Sequence, residues 1–133
     1  MGLCENCNKN KVNLPKLNKG ELLIKCTYEI KDFNETQIMN GLSVSRRNLD
    51  IESKIKIWNN YQREKFIFKK KFNKLGENAI VFIIEKRLND MSFMFSDCSS
   101  LKKIEFKSLS IPEVTNMIGI FNQCNELEYI YQI

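Results

Sequence analysis

Leu22, Ile24, Cys26, Tyr28 and Ile30 occupy alternate positions, with Lys25, Thr27, Glu29 and Lys31 falling between and after them. Period two sustained over this length predicts a strand with one buried and one solvated face. Residues 54–58 alternate again as Lys-Ile-Lys-Ile-Trp, Asn59-Asn60 is a turn-type pair, and Phe66, Phe68 and Phe72 follow on alternate positions. That order predicts a hairpin. Asn73 to Gly76 offers a second turn, with Gly76 free to take a positive φ, before the apolar run from Ala79 to Ile84, which reads as a buried strand. A helix through Phe68, Phe72 and Leu75 is the competing reading, but the β-branched content favours strand. Residues 38–50 hold Gly41 and a polar stretch through Asn48, and read as a loop or short edge strand. Residues 1–20 contain no aromatic, and Lys9, Lys11, Lys16 and Lys19 against Glu5 leave a net charge of +3, so they read as a flexible tail.

Beyond residue 88 the pattern changes from alternation to repetition. Met91, Phe95, Cys98 and Leu101 recur as Met117, Phe121, Cys124 and Leu127, an offset of 117 minus 91, or 26, and Ile104 recurs as Ile130. A period between about 20 and 30 residues, with the spacing L-x-x-I-x-F at Leu101, Ile104 and Phe106, is the signature of a leucine-rich repeat. These ten recurring residues form the expected repeat core. On that strand Lys103 and Glu105 point away from the core, stacked one repeat from Tyr129 and Tyr131, and these four residues are the expected ligand-facing set.

The stretch MSFMFSDCSSLKKIEFKSLSIPEVTN followed by MIGIFNQCNELEYI resembles the BspA-type leucine-rich repeat, whose units run N-M-x-x-M-F-x-x-C-x-x-L-x-x-L-x-L. The resemblance covers residues 88–133 and departs from the pattern at Gln132, which stands where Phe106 sits one repeat earlier. It implies one helical or 3₁₀ turn per unit around the Met-Phe residues, then a short strand. Residues 54–88 are similar to the β-rich segment that often precedes such arrays, which implies an Ig-like domain. The expected fold is therefore α+β and mostly β. A tail at 1–20 leads into a small β-rich domain at 21–87 and a short leucine-rich-repeat solenoid of two units at 88–133.

Composition removes several chemistries. The 133 residues are 43% hydrophobic and 28% charged, as in ordinary globular chains, and contain no His, the commonest general base and metal ligand. The net charge of +5 sits in the first two thirds: residues 91–133 carry 3 Lys+Arg against 5 Asp+Glu, which leaves 18 against 11 before them. Without an arginine-rich tract this basicity argues against nucleic acid, and Lys69–Lys71 and Arg46-Arg47 read as solvated positions even with Trp58, Phe66 and Phe68 nearby. Cys26, Cys98 and Cys124 lie at core positions and read as packing thiols. Cys4 and Cys7 have C-x-x-C spacing but no second pair to complete a zinc site, so no metal and no cofactor is expected. Gly2 with Cys4 and Cys7 instead suits myristate on the glycine and palmitate on the thiols, a lipidation site for the inner membrane leaflet.

These observations together lead to a non-catalytic protein–protein interaction module that uses its leucine-rich-repeat surface on a protein partner. The expected location is the cytoplasm, with the tail tethering the chain to the membrane. The alternative is a cysteine-dependent enzyme, or a zinc or redox protein using Cys4 and Cys7.

Overall fold

The computed structural model describes residues 13–40, 49–85, 88, 90–108 and 117–132. Strand β1 is Leu22–Ile30, the first period-two segment, and its five alternate apolar side chains are all buried. Two short elements follow: β2, Glu35–Gln37, and a helix, α1, Leu49–Lys54, at the end of a region whose polarity suggested loop. Ile51 anchors α1 in the core, and Lys54 falls in its last turn, where a cation meets the negative end of the helix dipole.

The expected hairpin is present as β3, Ile55–Asn59, and β4, Gln62–Lys65, with Asn59 opposite Gln62. Its turn residues are Asn60 and Tyr61, at φ of +49° and +63°, the left-handed pair that a two-residue type I′ turn requires. Phe66, Phe68 and Phe72 do not extend the hairpin. After β4 the chain leaves the sheet, and β5, Lys69–Lys71, pairs antiparallel with β2 as a separate ribbon. Strand β6, Gly76–Ile84, contains the apolar run, and Gly76 takes φ +92° at its start.

The repeat segment supplies β7, Leu101–Ser108, and β8, Tyr129–Gln132. They join the same sheet as the N-terminal strands, in the order β4-β3-β6-β1-β7-β8, antiparallel except for the parallel β7–β8 pair. The chain is thus mostly β, built on one open mixed sheet. Among the described residues, one six-stranded sheet and one two-stranded ribbon replace the two facing multi-stranded sheets that an Ig-like domain would show. The sheet also runs across residue 88, because β1 pairs with β6 on one side and with β7 on the other.

One apolar cluster covers the inner face of the central strands β3, β6, β1 and β7 and draws on both halves of the chain. Its spine is a row of rings. Phe68 meets Phe66 edge-on at 4.7 Å, Phe66 lies 6.0 Å from Phe82, Phe82 6.3 Å from Phe95, and Phe95 stacks on Phe121 at 6.1 Å. The fully buried Tyr28 donates its hydroxyl proton to the Ile38 carbonyl, and Asn40 reaches the first repeat through its main-chain N–H to Met94 O at 2.7 Å and its amide to Ser96 O at 2.9 Å. The residues after β2 are thereby fastened to the first repeat.

A second, smaller cluster lies on the opposite face, where Leu17 packs with Leu23, Val81 and Ile83, and Trp58 borders them. Residues 13–20 are therefore packed against the sheet rather than free. Leu17 is the reason: a single apolar side chain finds a patch on β1 and β6 that would otherwise face water. The segment is pinned further by Glu21, a buried carboxylate that accepts both Arg63 nitrogens at 2.5 and 2.8 Å and the Asn18 N–H at 2.7 Å. Arg63 also reaches Glu85 at 2.7 Å. Residues 1–12, with Gly2, Cys4 and Cys7, lie outside the described residues.

Candidate functional site

The backbone of the two repeat units recurs at the same offset as their sequence. In the first unit Met94, Ser96, Cys98 and Leu101 donate N–H bonds to the carbonyls three residues before them; in the second, Ile120, Asn122, Cys124 and Leu127 do the same. The left-handed residues match as well: Phe93 with Gly119 and Asp97 with Gln123, all at φ between +57° and +64°. In the turns, main-chain bonds from Phe93, Phe95 and Asp97 N–H to the carbonyls of Ile118, Ile120 and Asn122 join the units at 2.8–3.0 Å. Strand β7 then faces β8 with Lys103 opposite Tyr129 and Phe106 opposite Gln132, 26 residues apart in each case. Gly119 is needed where it stands, since a Cβ there would come within 2.3 Å of the Phe93 ring.

A β-bulge decides which side chains reach the outer face. Simple alternation would put Leu101 and Ile104 on opposite sides of β7, yet both are fully buried. The register against β1 shifts between Thr27 and Tyr28, so that Tyr28 meets Leu101 while Thr27 meets Lys103. Lys102 is the extra residue, and both lysines face outward. The L-x-x-I spacing is therefore the sequence trace of the bulge.

The outer face of β7 and β8 carries the four residues expected there. Tyr129 and Tyr131 are 44% and 46% exposed, and their rings stack at 5.8 Å with an 11° interplanar angle. Lys103 and Glu105 are half-buried beside them. The Lys103 ammonium lies 5.7 Å from the centre of the Tyr129 ring and 3.7 Å from Glu77, while Glu105 pairs with Lys25 at 3.7 Å. Lys102, which alternation alone does not bring to this face, bridges Glu77 at 3.0 Å and Glu29 at 3.7 Å. Each of the two partners shifts the other: Glu77 holds the Lys102 ammonium above its ordinary pKa, and Lys102 holds the Glu77 carboxyl below its own. The result is an aromatic pair at the sheet edge, bordered by an ordered lattice of opposite charges on β1, β6 and β7.

The repeat core divides by unit. Met91, Phe95, Cys98, Leu101 and Ile104 are all buried; Phe121, Cys124 and Leu127 are half-buried, and Met117 and Ile130 are exposed at 46% and 57%. The second unit covers the first, and among the described residues nothing covers the second.

The three described thiols are poor nucleophiles. Burial pushes Cys26 and Cys98 well above the ordinary thiol range, and it pushes Cys124, whose S–H donates to the Phe95 carbonyl, up to about 11. All three are protonated at neutral pH. A mild alkylating agent at neutral pH should therefore leave them unmodified until the chain unfolds, as followed by mass spectrometry of the labelled residues. Rapid labelling of any one of them in the folded chain would contradict their packing role.

The aromatics near the basic stretch do not form a stacking platform. Phe66 is buried, Phe68 packs on the core, and Trp58 Nε1–H donates to the Asn13 carbonyl at 2.6 Å. Arg46 and Arg47 lie outside the described residues. Among those residues no group of three or more Cys, Asp and Glu side chains is placed to hold a metal ion, and no helix is long and apolar enough to cross a membrane. Compared with protein-family models, curated proteins and solved structures, the chain matches none of them.

Proposed function

We propose that the chain is a non-catalytic protein-binding module of the BspA-type leucine-rich-repeat kind. Its two units form a short solenoid built onto one side of the sheet, and it binds a protein partner through the outer face of β7 and β8. The observation that carries this reading is the pair of half-exposed, stacked tyrosines beside Lys103 and Glu105. Tyrosine supplies a large, rigid contact area at low entropic cost, and it is enriched among the residues that dominate binding energy. The ion pairs of Lys103 and Glu105 hold that surface in shape before a partner arrives, which lowers the cost of ordering it. The recurrence of turns, left-handed residues and strand register at one offset supports the repeat assignment. A cytoplasmic location at the inner leaflet, through acylation of Gly2, Cys4 and Cys7, belongs to the same proposal.

The Tyr129→Ala, Tyr131→Ala double variant tests it. The expected result is loss of about 10-fold or more of the protein captured by the immobilised wild type from lysate of its own cells, with thermal stability close to wild type because both rings are half-exposed. Undiminished capture by the folded double variant would remove this face as the binding surface.

A further inference from the structure

The two edges of the six-stranded sheet are built differently. Strand β4 carries Arg63, Glu64 and Lys65 among its four residues, whereas β8 is Tyr-Ile-Tyr-Gln, with neither a charge nor a proline. Charged edge strands resist pairing with another chain, and a neutral edge of strand-forming residues favours it. On β8 Ile130 is 57% exposed, while Ile104, its equivalent one repeat earlier, is fully buried.

The direction of the open backbone groups follows from the ladders that run through β6, β1 and β7. Glu85 N–H donates to the Lys54 carbonyl and Glu29 N–H to the Ser100 carbonyl, each at 2.8 Å, so in the paired registers the main-chain groups of Lys103 and Glu105 point to β1 and those of Ile104 and Phe106 to β8. In a parallel ladder those groups of Ile104 and Phe106 bond the main chain of Tyr129 and Tyr131, which leaves the main-chain groups of Ile130 facing the open edge.

We propose that β8 pairs antiparallel with β8 of a second copy of this chain, about a two-fold axis at Ile130. Tyr-Ile-Tyr reads identically in both directions, so this register sets Ile130 opposite Ile130 of the second copy and Tyr129 opposite its Tyr131. The two central isoleucines then exchange both main-chain hydrogen bonds, with Cα atoms about 5.5 Å apart. Each Tyr129–Tyr131 pair is the closer, non-hydrogen-bonded kind, with Cα atoms about 4.5 Å apart. Glu128 falls opposite the neutral Gln132, so no like charges meet. The contact is isologous and closes after two copies. It uses the edge and leaves the outer face free, so it stands independently of the binding reading above.

Cysteine cross-linking decides it, in the 133-residue chain carrying Cys4→Ser and Cys7→Ser. Ile130→Cys on this background should form a covalent dimer under mild oxidation, since two directly opposite residues with Cα atoms about 5.5 Å apart lie within disulfide reach. Gln132→Cys, which faces Glu128, should cross-link at least about 10-fold more slowly, and the background chain itself should not cross-link. Sedimentation of the wild type should show the mass rising with concentration from 15.7 kDa to twice that value and no further. Ile130→Lys, which sets two ammonium groups against each other, should stay monomeric with its circular dichroism retained. A wild type that is monomeric at every concentration up to about millimolar would overturn the proposal. So would cross-linking of Gln132→Cys as fast as Ile130→Cys, or assembly beyond the dimer.

Discussion

Phe95→Ala is expected to cost about 3–5 kcal/mol, while Phe121→Ala, the same substitution one repeat later, costs about 1–2. Phe95 is fully buried, with Phe82 on one side and Phe121 on the other, so truncation leaves a cavity that β6 and the second unit cannot both relax into. Phe121 stacks on Phe95 but is only half-buried, so part of its lost contact is replaced by solvent. Urea unfolding of the two variants measures the difference. Equal losses would mean that the second unit is as well covered as the first. No loss for Phe95→Ala would mean that the ring row does not hold the sheet and the repeats together.

Removing Arg63 should have a similar effect, with a pH dependence that identifies its origin. Glu21 is buried, and its carboxyl lies below the ordinary value of 4.5, with the Arg63 hydrogen bonds as the main cause and burial opposing them. A lowered folded-state pKa contributes stability that is present above the unfolded value and is lost as pH falls through the folded one. Arg63→Met leaves the carboxylate with its Asn18 N–H bond but without a counter-charge. At about pH 7 this should cost about 3 kcal/mol, the low end for a broken buried pair, because Arg63 keeps a quarter of its side chain exposed. The difference between Arg63→Met and wild type should shrink steadily below about pH 4.5, where Glu21 protonates in the variant and in the unfolded chain. A gap that stays constant down to about pH 3 would show that Arg63 acts by packing its stem rather than by its charge.

Much of the architecture was legible along the chain wherever one local signal sufficed. Alternation at Leu22–Ile30 and the apolar run before Ile84 each became a central strand, because a half-buried or fully buried strand has to show that periodicity to bury its face. Of the hairpin, the first strand was visible and the turn displaced by one residue, since Asn59 keeps its cross-strand partner and Asn60 with Tyr61 takes the left-handed pair, but its second strand is Gln62–Lys65 and not the segment of Phe66, Phe68 and Phe72. The repeat showed itself twice, as residue identity at an offset of 26 and as side chains sorted inward and outward on β7. Of the candidate face, Lys103, Glu105, Tyr129 and Tyr131 were all placed in advance, because outward positions on a strand follow from the inward ones.

What tertiary contacts decided was every pairing between segments distant in the chain. That β7 docks on β1, making one sheet of both halves, depends on which strand edge is free once β1 and β6 have paired, and no local pattern encodes a free edge. The bulge at Lys102 arises only from that docking, which must bring Leu101 and Ile104 to the same side. Leu17 stands with only Leu14 and Pro15 in an otherwise polar stretch, too few for any period, and its burial depends on a patch formed by residues as far away as Ile83. Phe66, Phe68 and Phe72 share the parity of a strand, yet the core claimed the first two as links in a row of rings, and burial of a large aromatic outweighs the weak preference of its backbone.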